Sequence, residues 1–283
     1  MSKPVQITIS KLAKTSGIWG KNDLIPKKLF KEIKLGTDDL GIITTERENL
    51  DASTMGTTID LATRCFILKY KDAFRQARKG ADILNLLDAK ERASYPAELT
   101  LDTDYEIPLY GDALFEGANS LQYKSLSKVT KGDYDIIATM AYLEACYRSL
   151  NTLQYPIKDL NSVDFKHMKI FMKRCKNFFQ HFGNPSIIDY EIGSETLYGD
   201  GDYLSPNYLV DFKLYSRSPI QYPRNRRQIL MYYLLGKEQH RYPEFQTVEK
   251  LIFFNPRNDM AYVVSIEDIP TDLIERTRKI MDM

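Results

Sequence analysis

The sequence GDGDYLSPNYLVDFKLY, residues 199–215, decides the fold. Two runs of strand-forming residues flank a Ser-Pro-Asn sequence that is typical of turns, so the stretch predicts a β-hairpin. Antiparallel pairing about a loop of residues 205–208 would place Asp202 directly opposite Asp211. Lys213 lies two residues beyond Asp211 and therefore projects from the same face of the strand.

This register predicts two carboxylates and an ammonium group that converge on one face of a sheet. Residues opposite one another in such a ladder lie about 4.5–5.5 Å apart at Cβ, and two like charges at that distance repel unless a cation lies between them. Carboxylate oxygens with room for water and phosphate suit Mg²⁺ or Mn²⁺. An ion held by Asp202 and Asp211 would acidify a water and neutralise a phosphoryl oxygen, and Lys213 would polarise the attacking water and stabilise an anionic transition state.

A helix follows the predicted hairpin. Pro223 opens the sequence RNRRQILMYYLL, and Gly236 is expected just past the end of this helix. Gln228 and Tyr232 are spaced i and i+4, which places them on one face. There the amide can bind the scissile phosphate or a metal-bound water, and the phenol can hydrogen-bond a backbone phosphate. Nearby arginines supply a local positive charge that the chain as a whole lacks and that suits nucleic-acid binding. These are Arg217, Arg224, Arg226 and Arg227.

Each of these residues also has a simpler explanation. Asp202 could cap a turn, because Gly-Asp-Gly-Asp is a favourable loop sequence. Asp211 and Lys213 could form an ion pair on a solvated strand face, and Gln228 and Tyr232 could be an exposed amide and a core tyrosine. The apolar neighbours of Asp211 and Lys213 favour the chemical interpretation, since burying charges there without a purpose is costly.

Together these residues resemble the PD-(D/E)xK nuclease superfamily. Asp202 matches its first acid, Asp211-Phe212-Lys213 matches the (D/E)xK element, and Gln228 with Tyr232 resembles the QxxxY motif of the RecB-type exonuclease-like branch. The resemblance implies an α/β fold with a restriction-endonuclease-like core, in which helices flank a mixed central sheet, plus an N-terminal or inserted helical region. It also implies metal-dependent hydrolysis of DNA phosphodiester bonds.

Two further metal ligands follow from the resemblance. RecB-type exonucleases carry a helix that begins GTxxH, and residues 56–60, GTTID, have the same shape with Asp60 in place of the histidine. Asp60 could ligate a hard cation, or serve only as an acid near a helix N-terminus. Glu144 matches a glutamate that some members supply from a helix before the first strand, or is a paired or half-exposed side chain. The four-cysteine iron–sulfur cluster of some relatives is not expected, because the cysteines are three and scattered: Cys65, Cys146 and Cys175.

The hydropathy pattern divides the 283 residues into three segments. Residues 1–54 predict an irregular segment that packs on the core. Residues 55–184 are mostly helical, with helices expected from about Thr54, over 81–91, over 134–150 and after Ser162, and with loops over 95–130. Residues 185–283 form the nuclease-like α/β core, where the period changes from 3.6 to 2. The expected strands are SIIDYEI, TLYGDGDYL, YLVDFKLYS, TVEKLIFFN and AYVVSI, and a last helix starts at Pro270.

Charge, cysteine usage and missing motifs narrow the function classes. Lys and Arg total 39 and Asp and Glu 38, which gives a net charge of +1, so the chain is not a globally basic nucleic-acid coat. The absence of a signal-peptide run, of a long apolar stretch and of a disulfide framework predicts a cytoplasmic protein without a membrane segment. The sequence contains no P-loop, no GxSxG motif and no GxGxxG motif after a strand. It therefore gives no support to an NTPase motor, a serine hydrolase or a dinucleotide enzyme.

The sequence therefore predicts a Mg²⁺- or Mn²⁺-dependent nuclease that acts on DNA. By resemblance it would serve recombination, repair, phage replication or defence, free-standing or with a separate helicase. An alternative from another class is a catalytically inactive nucleic-acid-binding or protein-interaction module on the same fold. A third is a phosphohydrolase of small nucleotides.

Overall fold

The computed structural model describes residues 6–86, 110–148 and 158–283. It divides into two compact units, one made of Met1–Thr44 together with Asn177–Met283 and the other of Thr45–Lys176. We call them the sheet unit and the helical unit. The sequence predicts boundaries after residues 54 and 184, and the division in the structure falls after residues 44 and 176.

Over the described residues the sheet unit contains one mixed sheet of seven strands. The strand order is β1-β4-β5-β6-β7-β2, and β3 also pairs with β4. The β1–β4 and β5–β6 pairs are parallel and the other pairs are antiparallel. The predicted α/β class with a mixed sheet flanked by helices is confirmed. The strands are β1 Ile7–Thr8, β2 Lys31–Lys34, β3 Ile187–Gly193, β4 Leu197–Leu204, β5 Tyr208–Phe212, β6 Lys250–Asn255 and β7 Met260–Ser265.

The helices of the described residues are joined by short 3₁₀ segments and loops. None of them combines the length and the apolar character that a membrane span requires. In chain order they are α1 Ile9–Lys14, α2 Ala52–Ala62, α3 Arg75–Leu86, α4 Asp112–Ser120, α5 Lys131–Arg148, α6 Ser162–Phe182, α7 Pro223–Gln239 and α8 Thr271–Ile280.

Aromatic and aliphatic side chains cover both faces of the sheet. On one face, α7 buries Ile229, Leu230 and Leu234 in a cluster that includes Leu209 and Phe253 of the strands. On the other face, the end of α6 stacks its phenylalanines on the strands, with Phe178 4.5 Å from Phe254 and Phe179 5.2 Å from Tyr203 between ring centroids. Apolar side chains therefore cover both faces of the central strands, and a charge placed there is costly unless it is paired.

Helix α7 continues past the end that the sequence predicts. Gly236 lies inside it, and the helix ends at Gln239 with His240 in the left-handed region at φ 54°. A Cβ on Gly236 would overlap the ring of Phe245. The glycine is therefore explained by close packing against Phe245, and the prediction that it ends the helix is wrong.

In the helical unit, α5 packs against α2 and α3. Gly80 of α3 permits this approach, because a Cβ there would overlap the backbone carbonyl of Leu143 in α5. The helix predicted from Thr54 ends as α2 at Ala62 and passes through a π-helical turn, Thr63–Ile67, to Lys69 at φ 54°.

Other predictions for this region meet the structure in part. Helix α4 interrupts the stretch over 95–130 that the sequence predicts as loops. Residues 87–91 and 149–150 of the predicted helices, like residues 95–109 of that stretch, lie outside the described residues.

Candidate active site

The hairpin of β4 and β5 has the predicted register. Tyr203 pairs with Val210 and Leu204 with Leu209, which are the pairs that flank a loop of residues 205–208. Beyond Tyr203 the backbone ladder is replaced by a side-chain contact, in which the backbone N–H of Phe212 donates to Asp202 Oδ2 at 2.7 Å. Asp202 is therefore held against β5 by a hydrogen bond to its carboxylate.

Asp211 and Lys213 form a largely buried ion pair beside Asp202. Lys213 Nζ lies 2.8 Å from both carboxylate oxygens of Asp211, and the two side chains are 16% and 7% exposed. Burial alone would lower the pKa of Lys213, but the charges of Asp211 and Asp202 raise it above its ordinary value. Lys213 is therefore a cation at neutral pH, and the structure brings together the two carboxylates and the ammonium group.

Asp211 is the buried carboxylate at which a hard cation would bind. Both of its oxygens lie 2.8 Å from the ammonium of Lys213, so a bound cation would share them with Lys213. Within residues 6–86, 110–148 and 158–283, no three His, Cys, Asp or Glu side chains gather as a metal-binding group. Mg²⁺ commonly takes only one or two protein carboxylates and fills its shell with water and phosphate. Asp202 and Asp211 fit this donor set.

Gln228 and Tyr232 form a hydrogen-bonded network with a residue that the sequence did not indicate. Gln228 Nε2 donates to Tyr232 Oη and to Ser10 Oγ, both at 2.8 Å. Burial, followed by the charge of Asp211, raises the pKa of Tyr232 to about 12. Ser10 lies on α1, a six-residue helix, and no motif in the sequence singles it out.

Two glycines of β4 make room for tyrosine rings beside the carboxylates. A Cβ on Gly199 would lie 2.6 Å from Tyr232 Cε1, and a Cβ on Gly201 would overlap the ring of Tyr190. Tyr190 is buried and its hydroxyl has no hydrogen-bond partner. Burial and nearby negative charges, including Asp202, hold its pKa well above the ordinary value. The interpretation of Gly199–Asp202 as a turn is wrong, because these residues lie within β4.

The β3–β4 ladder is interrupted opposite Asp202. Tyr190 pairs with Gly201 and Ile188 pairs with Tyr203, but Asp189, between them, is not part of the ladder with β4. The φ angle of Asp189 is 54°, in the left-handed region. Tyr190 faces Tyr232 of α7, whereas Tyr203 faces Phe179 of α6. The strands therefore change face at this point, and such irregularities often re-aim a side chain next to a functional site.

The four predicted arginines divide into two pairs. Arg217 and Arg224 are exposed. Arg226 is buried and its Nη1 donates to the carbonyl of Ile25 at 2.7 Å, while Arg227 contacts backbone carbonyls of the N-terminal segment and lies 5.0 Å over the Trp19 ring. Contacts to the N-terminal segment therefore hold both arginines, Arg226 is buried and Arg227 is half-buried, and a role of either one in binding DNA stays a prediction.

Asp60 and Glu144 belong to the helical unit, where an arginine one turn later pairs with each. Asp60 Oδ2 lies 2.5 Å from Arg64 Nη2, and Glu144 Oε1 lies 2.5 Å from Arg148 Nη2. Both carboxylates are buried. The ion pair with Arg148 agrees with the structural explanation of Glu144 as a paired side chain. The explanation of Asp60 as an acid near a helix N-terminus is wrong, because Asp60 lies in the last turn of α2. Metal ligation by either residue stays a prediction.

Comparison with protein-family models, curated proteins and solved structures finds no match to this chain. The geometry of Asp202, Asp211 and Lys213, with the residues around them, is therefore the basis on which a function is inferred.

Proposed function

We propose that this chain is a Mg²⁺- or Mn²⁺-dependent nuclease that hydrolyses DNA phosphodiester bonds on a fold of the PD-(D/E)xK type. One observation carries the proposal: Asp202, which accepts from the backbone of β5, lies beside the largely buried ion pair of Asp211 and Lys213. Asp211 is buried, and Asp202 and Lys213 are half-buried. Removing such charges from water is costly, and a phosphodiester reaction gives that cost a purpose.

The side chains have separate roles in this proposal. Asp202 and Asp211 would hold the divalent ion. When bound, the ion supplies charge neutralisation at a phosphoryl oxygen and acidifies the attacking water. Lys213, held protonated by the carboxylates, orients that water and stabilises the negative charge of the transition state.

Gln228 and Tyr232 position the reacting groups from the other side. Gln228 Nε2 donates both of its hydrogens, one to Ser10 and one to Tyr232, so the Tyr232 hydroxyl keeps its own proton to donate to a phosphate oxygen and Gln228 Oε1 can accept from the attacking water. Side chains oriented in this way before a substrate binds lose less entropy on binding than mobile ones. Exposed Arg217 and Arg224 would contact the DNA backbone.

The experiment that tests this proposal is cleavage of labelled DNA by the wild-type chain and three variants. Asp202→Asn and Asp211→Asn should each lower the Mn²⁺-dependent rate at least about 10³-fold, because each removes a charge that holds the ion. Asp200→Asn is the matched control, since Asp200 lies on the same strand two residues from Asp202. Circular dichroism checks that the variants fold.

The substrates should include single- and double-stranded DNA, RNA and free nucleotides. Cleavage of DNA that depends on both aspartates supports the proposal. Binding of DNA without any cleavage by the wild type would instead favour a module without turnover, and hydrolysis of free nucleotides alone would favour a small-molecule phosphohydrolase.

A further inference from the structure

Two tyrosines and an arginine form a partly exposed cluster between β5 and α7. The Tyr215 and Tyr222 rings meet edge to face with centroids 4.9 Å apart. Arg224 Nη2 donates to Tyr215 Oη at 3.2 Å, and its guanidinium carbon lies 5.8 Å from the centroid of Tyr222. Both rings are half-buried and Arg224 is exposed. We call these three residues the aromatic platform.

Buried asparagines hold the backbone that carries the platform. Asn255 is fully buried and its Nδ2 donates to the carbonyl of Tyr215 at 2.8 Å. Asn225 is also buried and its Nδ2 donates to the carbonyl of Pro219 at 3.0 Å, whose carbonyl also accepts from the backbone N–H of Tyr222. The rings are therefore presented in a fixed arrangement, which lowers the entropy lost when a flat ligand stacks on them.

The platform adjoins the proposed catalytic cluster. Tyr215 follows Lys213 by two residues, and the backbone N–H of Tyr215 donates to the carbonyl of Lys213 at 3.1 Å. A ligand stacked on the platform would therefore lie beside the phosphate that Lys213 contacts.

Positive charge surrounds the rings. Arg217 and Arg224 are exposed, and so is Lys27, whose ammonium donates to the side chain of Gln221 in the same loop. Aromatic rings interleaved with cations are the pattern by which proteins bind single-stranded nucleic acid, because every base has a face that stacks and every nucleotide has a phosphate. A base within an intact duplex has both faces covered by its neighbours and cannot use such a platform.

We propose that Tyr215, Tyr222 and Arg224 form a subsite for an unpaired nucleobase next to the scissile phosphate, so that the enzyme acts on single-stranded or frayed DNA. Arg224 moves off the Tyr222 ring and the base takes its place, or the base stacks on the guanidinium plane itself. This inference rests on the proposed nuclease function and adds the class of substrate to it.

The test is cleavage of a single-stranded oligonucleotide series in which one abasic residue is moved along the strand. In the wild type, the abasic residue should lower kcat/KM by about 5- to 150-fold at one fixed distance from the cleaved bond, the range expected for one base–aromatic stack. An equal rate for every member of the series would overturn the inference. This comparison changes only the substrate, so it does not depend on a variant that folds.

Two variants and a control assign the effect to the platform. Tyr222→Leu should make the enzyme insensitive to the abasic residue, and Tyr222→Phe, which keeps the ring, should retain the sensitivity. Tyr123→Leu is the control, because Tyr123 is 84% exposed and lies in the helical unit. Sensitivity that survives in Tyr222→Leu contradicts the assignment.

The two proposals fail in different ways. If no DNA is cleaved with either ion, the nuclease proposal fails, and the platform is then tested by fluorescence anisotropy with the same single strands. A loss of affinity of at least 5-fold in Tyr222→Leu, absent from Tyr222→Phe and Tyr123→Leu, supports the base subsite. Equal affinities for all four proteins overturn it.

Discussion

Replacing Lys213 by methionine should destabilise the sheet unit and make it dependent on a divalent ion. The ammonium lies 2.8 Å from both oxygens of Asp211, whose side chain is 7% exposed, and Asp202 adds a second negative charge on the same face. Methionine fills similar space without the charge and leaves a buried carboxylate unpaired. Breaking a buried pair in this way costs about 3–5 kcal/mol of the free energy of unfolding.

A divalent ion should restore much of this loss. Without the ammonium, an ion bound by Asp202 and Asp211 meets no competing cation, so the variant should bind it more tightly than the wild type does. An ion present at about 100 times its Kd adds about 2.7 kcal/mol to the free energy of unfolding. The difference between Lys213→Met and the wild type should therefore be large in chelator and small in Mg²⁺.

Urea unfolding followed by tryptophan fluorescence measures this difference. Trp19 is the single tryptophan of the sequence, and its Nε1 donates to the carbonyl of Leu12 at 2.8 Å within the sheet unit. Lys250→Met is the matched control, because Lys250 is exposed at the start of β6, and it should change the free energy of unfolding by less than about 0.5 kcal/mol. A Lys213→Met variant as stable as the wild type in chelator, or one unaffected by Mg²⁺, would refute the reasoning.

Three further predictions concern packing, positioning and pH. Gly201→Ala should lower the free energy of unfolding by about 1–3 kcal/mol, because its Cβ would overlap the Tyr190 ring; urea unfolding tests this, and an unchanged midpoint contradicts it. Ser10→Ala should lower kcat/KM for DNA about 5-fold by removing one hydrogen bond to Gln228, with folding unchanged by circular dichroism; an unchanged rate removes Ser10 from the site. Burial alone would raise the pKa of Asp133, but hydrogen bonds from Lys124 and Thr130 outweigh it, and the net pKa is lowered. The ionised carboxylate therefore stabilises the helical unit at a pH above the unfolded-state pKa of Asp133. This stabilisation is lost as the pH falls through the lowered pKa of the folded state. Asp133→Asn should therefore reduce the acid sensitivity of unfolding monitored by far-UV circular dichroism, and identical pH profiles would contradict the account.

Local chemistry was enough to predict the hairpin at the centre of the site. A Ser-Pro-Asn turn between alternating strands fixes the register, and the pairs Tyr203–Val210 and Leu204–Leu209 follow it. The five predicted strands after Pro185 and the last helix also form where the periodicity indicates. The periodicity and the turn residues that determine these elements lie within a few positions of one another, so they are visible in the sequence.

Features that depend on distant contacts were not predictable in this way. Ser10 reaches Gln228 across 218 positions of the chain, and Arg226 contacts Ile25 across 201. The sequence predicts Gly236 just past the end of the helix, because glycine is common at that position, but it lies within the helix, where it leaves room for the ring of Phe245. A sequence pattern lists side chains without their partners, so it cannot separate an arginine that binds phosphate from one that binds a carbonyl.

The irregular step at Asp189 shows a second limit. Alternation with period 2 assumes that each strand keeps its faces, but β3 has a residue at φ 54° opposite Asp202 and changes face there. Aspartate tolerates this conformation better than most residues, but the sequence alone does not reveal which aspartate of the chain adopts it.

The measurement that tests the central claim most directly is anomalous diffraction from crystals soaked in Mn²⁺. Our account predicts a single strong peak within coordination distance of the carboxylates of Asp202 and Asp211, with Lys213 beside it, and its loss in Asp211→Asn crystals soaked in the same way. Ordered carboxylates with no peak between them, or a peak that persists in Asp211→Asn, would contradict the account.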